Sequence, residues 1–191
     1  LGATDNHVTG SRNLLTFPDG LKVLVDFGLT QTNDGNFEET LKWNGRDFEF
    51  DINEISYVVL THSHIDHIGL TPLLIKRGKI IATVPTGEFA AIALPDSAKI
   101  AESDVQRVNK YRPKNKLAPL YTKEDASETV SRIQCYDYNT RIVLNDNVSL
   151  ELKNACHMLG AAMPLFTFKE GNKNRTLLFT GDTSGKSTRH P

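Results

Sequence analysis

Three histidines and one aspartate stand within six residues of this chain, in the run His62-Ser63-His64-Ile65-Asp66-His67. Imidazole and carboxylate groups are ligands that Zn²⁺ prefers, and water bound to such an ion can act as the nucleophile of a hydrolase. A lone histidine is more often a structural residue than a ligand. Burying three imidazoles and a carboxylate without partners would cost several kcal/mol, so packing explains the run poorly. The run therefore predicts a metal site.

The elements around this run predict how further polar residues join it. Residues 55–60 are almost entirely apolar, which is typical of a strand buried on both faces, and the histidines follow the end of this strand. His157 follows a predicted strand that starts at residue 148, and Asp182 follows one over residues 176–180. Because ligand groups of layered α/β folds gather at strand ends, we add His157 and Asp182 to the candidate site.

Composition bounds the class of protein. The chain has 191 residues, of which 39% are hydrophobic and 24% are charged, with a formal net charge of −1. This fits one globular domain over residues 1–191 and excludes a disordered or fibrous chain. A polyanion would have to bind a local patch or the metal itself. Two cysteines are too few for a disulfide framework, and no apolar segment approaches the ~20 residues that span a bilayer, so we expect a cytoplasmic protein.

Strands, then helices, then strands again favour a layered α/β sandwich over a regular alternation of strand and helix. Predicted strands cover residues 13–17, 21–26, 55–60, 80–84, 134–138, 141–144, 148–153, 162–169 and 176–180. Predicted helices cover residues 72–77, 86–94, 96–111 and 122–133, with Pro95 breaking the long helical segment and Thr122 and Asp125 forming a capping box. Residues 30–48 lack clear periodicity and are predicted to form a loop.

These motifs together resemble the metallo-β-lactamase superfamily, and within it the β-CASP nucleases of messenger-RNA 3′-end processing. The superfamily motifs are matched at Asp26, His62, His64, Asp66, His67, His157 and Asp182. The narrower resemblance is carried by Gly2-Ala3, by Val8-Thr9-Gly10-Ser11 and by Leu159-Gly160-Ala161-Ala162. The resemblance implies an αββα sandwich. In the family a cap domain and further histidine motifs follow the bridging aspartate, so we expect the sandwich to be incomplete at the C-terminus.

The resemblance also implies a two-zinc hydrolase. We expect two Zn²⁺ ions, the first held by His62, His64 and His157, the second by Asp66 and His67, and both by Asp182. A hydroxide between the ions would be the nucleophile, with Asp66 and Asp182 as catalytic residues. Asp26 would orient a ligand without touching the metal. Since one ligand of the second site would come from the later motifs, we expect the second Zn²⁺ to be bound weakly.

Two positions depart from the family pattern. Cys156 stands where the branch usually has glycine, and Ala161 stands where it usually has serine. A small buried thiol is the simpler interpretation of Cys156, against a metal ligand or a redox sensor. Residues 107–116 contain five basic side chains and Tyr111. A solvated basic loop is the simpler interpretation of that segment, and contact with RNA phosphates with Tyr111 stacked on a base is the alternative.

The leading functional hypothesis is a zinc-dependent nuclease domain that hydrolyses phosphodiester bonds of RNA, as an endonuclease or a 5′ exonuclease. DNA is the alternative substrate, and a homodimer is left open. One competing hypothesis is a small-molecule hydrolase of the lactonase or thioesterase type, which the segment Thr9-Gly10-Ser11 argues against. The other is a catalytically silent scaffold subunit of an RNA-processing complex, which is argued against by the intact residues His62, His64, Asp66, His67, His157 and Asp182.

Overall fold

The computed structural model describes residues 9–31, 37–45, 48, 50–74, 78–112 and 114–184. Of the predictions above, those on Gly2, Ala3 and Val8 and on residues 75–77 lie outside the described residues. Two β-sheets face each other, and helices cover the other face of the first sheet. Among the described residues, no helix combines the length and the hydrophobicity needed to cross a membrane.

The first sheet has five strands in sequence order: β1 Arg12–Thr16, β2 Lys22–Phe27, β3 Tyr57–Val59, β4 Lys79–Thr83 and β5 Ile133–Tyr136. The predicted hairpin of β1 and β2 is confirmed, and the remaining neighbours pair in parallel. The second sheet is antiparallel and consists of β6 Ile142–Val143, β7 Val148–Asn154, β8 Ala162–Glu170 and β9 Lys173–Leu178. Parallel strands end at one edge of their sheet, so the segments after β2, β3 and β4 meet there.

The described helices are α1 Phe37–Asn44, α2 Ile65–Ile68, α3 Val84–Asn109 and α4 Lys123–Ser131, with 3₁₀ turns at Ile52–Glu54 and Thr71–Leu74. The predicted capping box is confirmed, because the side chains of Thr122 and Asp125 each bond the other's backbone N–H at the start of α4. The helix predicted over residues 72–77 is the second 3₁₀ turn in its described part.

The strands of the first sheet separate two hydrophobic cores. Leu24 and Val58 pack against the helices, while their neighbours Val25 and Val59 pack against the second sheet. Because successive side chains of a strand point to opposite faces, a sheet covered on both faces must be apolar throughout. Within the part of the chain that the structure describes, three layers of the predicted αββα sandwich are formed.

The prediction of a loop over residues 30–48 is wrong, because α1 lies within it. The helix is anchored by Asn44, which is fully buried. Its amide accepts hydrogen bonds from the Arg12 side chain and the Thr30 backbone, and donates to the Thr30 carbonyl. Polar tertiary contacts therefore hold the C-terminal end of this helix against β1 and Thr30.

The prediction that Pro95 divides the long helical segment is also wrong, since α3 is continuous over 26 residues. A proline inside a helix removes the hydrogen bond to the carbonyl four residues earlier, here that of Ala91. Ala91 is exposed, so water can satisfy this carbonyl. Ala90, Leu94 and Ala98 are fully buried on both sides of the proline, and their burial holds the helix together across it.

Candidate metal centre

The histidine run leaves the sheet at the end of β3 and enters α2. Ser11 N–H donates to the carbonyl of Asp66 at 2.8 Å, and Leu29 N–H donates to that of Ile65 at 3.0 Å. Gly28 packs so closely on this turn that a Cβ on it would lie 1.6 Å from the Asp66 carbonyl oxygen. These contacts hold the turn against the segments that flank the β1–β2 hairpin, which gives Ser11 and Gly28 a structural role in the site.

Asp26 lies beneath the run because β2 is irregular at this residue. The register between β1 and β2 shifts here, and Asp26 has a left-handed backbone with φ of 62°. Such a bulge can redirect a side chain. The buried carboxylate accepts hydrogen bonds from the backbone N–H and the hydroxyl of Thr61, both at 2.8 Å, and lies 2.7 Å from Nδ1 of His67.

One group of possible ligands combines His62, His64, His157 and Asp182, whose ligand atoms all lie within 4.8 Å of one another. His64 Nδ1 is 3.0 Å from His62 Nε2 and 3.4 Å from His157 Nε2. Oδ2 of Asp182 is 3.9 Å from His62 Nε2 and 3.8 Å from His157 Nε2. A tetrahedral ion with bonds of about 2.1 Å separates its ligands by about 3.4 Å. The four residues therefore fit a divalent metal ion.

A second group adjoins the first through Asp182. Oδ1 of Asp182 is 3.5 Å from His67 Nε2, and Oδ2 of Asp66 is 4.0 Å from the same nitrogen. Asp182 thus directs one oxygen to each group, while Nδ1 of His67 faces Asp26 and leaves Nε2 for a ligand. The structure brings together every residue that the sequence predicted for the site, with Asp26 outside both groups.

Burial and neighbouring charges set the protonation of the two buried histidines differently. Burial, together with the nearby rings of His67, His64 and His157, lowers the pKa of His62 to about 3. Burial by itself lowers the pKa of His67, but the hydrogen bond and the charge of Asp26 raise it above its usual value. A metal ligand must be the neutral imidazole, so these opposite pKa shifts make His62 the more readily available ligand as the pH falls.

The loop that carries His157 joins β7 to β8. Cys156 has a left-handed backbone with φ of 56°, its N–H donates to the Asn154 side chain, and its carbonyl accepts from the Ser184 hydroxyl at 2.5 Å. No disulfide joins Cys135 and Cys156, and Cys156 is half-buried.

Sequence reasoning missed Thr61, which binds the Asp26 carboxylate and whose hydroxyl also lies 3.0 Å from Nδ1 of His62. The available signal was a threonine directly between an apolar strand and the first histidine of the run.

The chain is similar in sequence to two ribonucleases and to a transcription termination factor. It is 31% identical to the endoribonuclease YSH1 of Eremothecium gossypii, over 74% of this chain and 18% of that protein. It is 31% identical to the ribonuclease TTHA0252 of Thermus thermophilus, over 94% of this chain and 36% of that protein. It is 28% identical to the transcription termination factor FttA of Methanosarcina mazei, over 92% of this chain and 25% of that protein. The chain therefore spans between 18% and 36% of the length of these relatives.

Solved structures share the fold at low sequence identity. A metallo-β-lactamase with the HARLDQ motif from Cronobacter sakazakii matches with a TM-score of 0.51 and 18% identity, over 90% of this chain and 52% of that one. A B3 metallo-β-lactamase with an active-site glutamic acid matches with a TM-score of 0.50 and 15% identity, over 89% of this chain and 55% of that one. These matches confirm the fold class. The sequence profile of the metallo-beta-lactamase superfamily matches residues 13–135, and the chain belongs to this superfamily.

Proposed function

We propose that this chain forms the metal-binding part of a β-CASP-type nuclease that hydrolyses phosphodiester bonds of RNA with two Zn²⁺ ions. The observation that carries the proposal is the position of Asp182, which directs one carboxylate oxygen to each group of ligands. A carboxylate shared in this way is suited to hold two ions at the ~3.5–4 Å separation of two-metal hydrolases. The names of the relatives YSH1 and TTHA0252, an endoribonuclease and a ribonuclease, support RNA as the substrate.

The chain's own residues would divide the work of the reaction. His62, His64 and His157 would hold one ion, Asp66 and His67 the other, and Asp182 both. Asp26 would keep His67 in the tautomer that leaves Nε2 free for a metal. Asp66 and Asp182 would be the catalytic residues, and the side chain of Asp66 is 31% exposed. When bound, the two ions supply an activated water and neutralise charge that develops on the phosphate.

The two ions would differ in affinity. The first group would offer its ion four protein ligand atoms, from three imidazoles and one carboxylate. The second has one imidazole, Asp66 and a share of Asp182, which is one ligand fewer than the first group has. We expect one tightly bound zinc per chain and one weakly bound zinc. Metal analysis that finds two tightly held ions would contradict this expectation.

The competing hypotheses find less support. A lactonase or thioesterase would not explain why the relatives YSH1 and TTHA0252 are nucleases. A silent scaffold would not need the ligand atoms of His62, His64, His157 and Asp182 to converge within 4.8 Å.

The decisive experiment incubates end-labelled RNA and DNA with the chain and with a version continued past Pro191, each with and without His64→Ala. We expect RNA cleavage that needs zinc and is lost in His64→Ala, together with lost zinc binding. His190→Ala is the matched control, because His190 is not among the proposed ligands. The pattern of product lengths separates an endonuclease from a 5′ exonuclease. Cleavage that survives His64→Ala would refute the metal mechanism, and cleavage of DNA alone would refute the RNA substrate.

A further inference from the structure

A pair of threonines lies outside the two ligand groups and contacts the loop that carries His157. Thr83 ends β4 and caps α3, and Thr86 lies in the first turn of that helix. Both side chains are buried, with 1% and 0% of their surface exposed. The hydroxyl of Thr83 lies 2.6 Å from the carbonyl oxygen of Gly160, and that of Thr86 lies 2.9 Å from the same oxygen. Two buried hydroxyls thus converge on one backbone carbonyl.

Capping the helix does not account for both hydroxyls. The cap needs only the oxygen of Thr83, which accepts a hydrogen bond from the Thr86 backbone N–H. That bond does not need the hydroxyl of Thr86, which lies 3.0 Å from the Thr83 hydroxyl. The Thr86 hydroxyl points out of the helix to Gly160, 74 residues away in the chain. The hydrogen bond therefore links the start of α3 to the loop between β7 and β8 of the second sheet, and it does not stabilise the helix itself.

Gly160 is built into this contact. Its backbone is left-handed with φ of 87°, and a Cβ on it would lie 2.6 Å from the backbone nitrogen of Thr86. The same loop is held by a hydrogen bond from the Tyr138 hydroxyl to the Ala161 carbonyl at 2.9 Å. The Ala162 N–H donates to the Thr61 carbonyl at 2.7 Å. The loop is therefore fixed at its C-terminal half, while His157 lies three residues before Gly160.

We propose that Thr86, supported by Thr83, is a positioning residue for His157 and thereby sets the metal affinity of the first ligand group. His62 and His64 follow a strand of the first sheet, whereas His157 follows a strand of the second. The distance between these imidazoles thus depends on how the second-sheet loop is joined to the first sheet, and the contact of Thr86 with Gly160 is such a joint. The inference rests on the metal-binding part of the proposed function.

The test removes one hydroxyl and measures metal binding directly. Thr86→Val keeps the shape of the side chain but cannot donate to Gly160, whereas Thr86→Ser keeps the donor. Zinc affinity is measured by competition with a chromophoric chelator, and the absorption spectrum with Co²⁺ reports the ligand geometry. We expect Thr86→Val to weaken zinc binding about 10–100-fold, as loss of an orienting contact typically does, and Thr86→Ser to restore most of the affinity.

Thr129→Val is the matched control. Thr129 is equally buried, and its hydroxyl donates to the Asp125 carbonyl within α4 at 2.8 Å. Its loss should lower the unfolding temperature of the metal-free chain without changing zinc affinity.

Unchanged zinc affinity in Thr86→Val would overturn the inference. So would an equal loss of affinity in Thr129→Val, since that would trace the effect to general stability. Should Thr86→Val fail to fold, Tyr138→Phe removes the neighbouring anchor of the same loop from a half-buried position, and unchanged affinity there would overturn the inference as well. Failure of the unaltered chain to bind zinc would instead refute the proposed function.

Discussion

Oδ2 of Asp26 lies 2.7 Å from Nδ1 of His67 and directs the other nitrogen of that ring toward Asp66 and Asp182. Asp26 reaches this position with a left-handed backbone, which costs an L residue roughly 1–2 kcal/mol. Hydrogen bonds from Thr61 fix the carboxylate from the other side. Strain that is retained at a buried carboxylate beside candidate metal ligands is typical of a functional site.

Asp26→Asn should weaken metal binding at the second group. The amide has the shape of the carboxylate and tolerates the left-handed backbone, but it lacks the charge that draws electron density toward His67. We expect about a 10–100-fold loss of affinity for the weaker zinc, with the tighter zinc affected less. Isothermal titration of the metal-free protein measures both affinities. Asp19→Asn, on the exposed β1–β2 turn, is the control and should change neither. Equal weakening of both ions in Asp26→Asn would contradict a role at His67.

The low pKa of His62, about 3 against an ordinary 6.5, predicts how the metal-free chain responds to acid. As pH falls below 6.5, the unfolded chain takes up a proton at His62 while the folded chain does not, so stability is lost between pH 6.5 and 3. We therefore expect the free energy of unfolding of the wild-type chain, minus that of His62→Gln, to decrease steadily between about pH 7 and pH 4. Urea unfolding of both proteins, with a chelator present, measures this difference in free energy. A difference that does not change with pH would contradict the buried, neutral state of His62.

Cys156→Gly should stabilise the metal-free chain. Cys156 has φ of 56°, a conformation that costs about 1–2 kcal/mol for an L residue, against about 0.5–1 kcal/mol of extra backbone entropy for glycine in the unfolded state. We expect the free energy of unfolding to rise by about 0.5–1 kcal/mol. Cys135→Gly, in strand β5, is the opposite case and should destabilise the chain by a similar amount. If both variants lower stability alike, contacts of the Cys156 side chain outweigh its backbone strain.

The basic segment 107–116 can now be tested as an RNA contact. Tyr111 is 85% exposed, and the side chain of Asn109 bonds both backbone groups of Leu117, at 2.9 and 2.8 Å, which holds the ends of the segment together. Among described residues, Arg107 pairs with Asp104 and Arg112 with Glu38. The exposed Lys114 and Lys116 form no ion pair within that part of the chain.

If these lysines contact RNA phosphates, replacing both with alanine should reduce the slope of log affinity against log salt concentration by about 1.4 for single-stranded RNA. Fluorescence anisotropy at several salt concentrations measures the slope. Lys169→Ala combined with Lys173→Ala removes the same charge from exposed positions of the second sheet and is the matched control. Equal effects of the two pairs would identify the segment as a solvated loop.

Local sequence patterns were enough for much of the fold. The β1–β2 hairpin follows from its turn residues, and the start of α4 follows from Thr122 and Asp125, because each depends on groups a few residues apart. The errors at α1 and Pro95 have another origin. The helix α1 depends on Asn44 meeting Arg12, and α3 continues through Pro95 because its buried face packs against the sheet. Contacts with residues far along the chain outweighed local propensity in both places.

The sequence by itself determined the ligand types and their places at strand ends, since imidazoles and carboxylates that follow buried strands have few other uses. Only the tertiary structure decided that His157 comes within 3.4 Å of His64, 93 residues earlier, and that Asp182 directs one oxygen to each group. It also revealed the parts of Thr61, Thr83 and Thr86, whose hydroxyls are ordinary in sequence. The partner of Thr61 is Asp26, which pairing of β2 with β3 brings near, and the shared partner of Thr83 and Thr86 is the Gly160 carbonyl, which lies in the loop between β7 and β8.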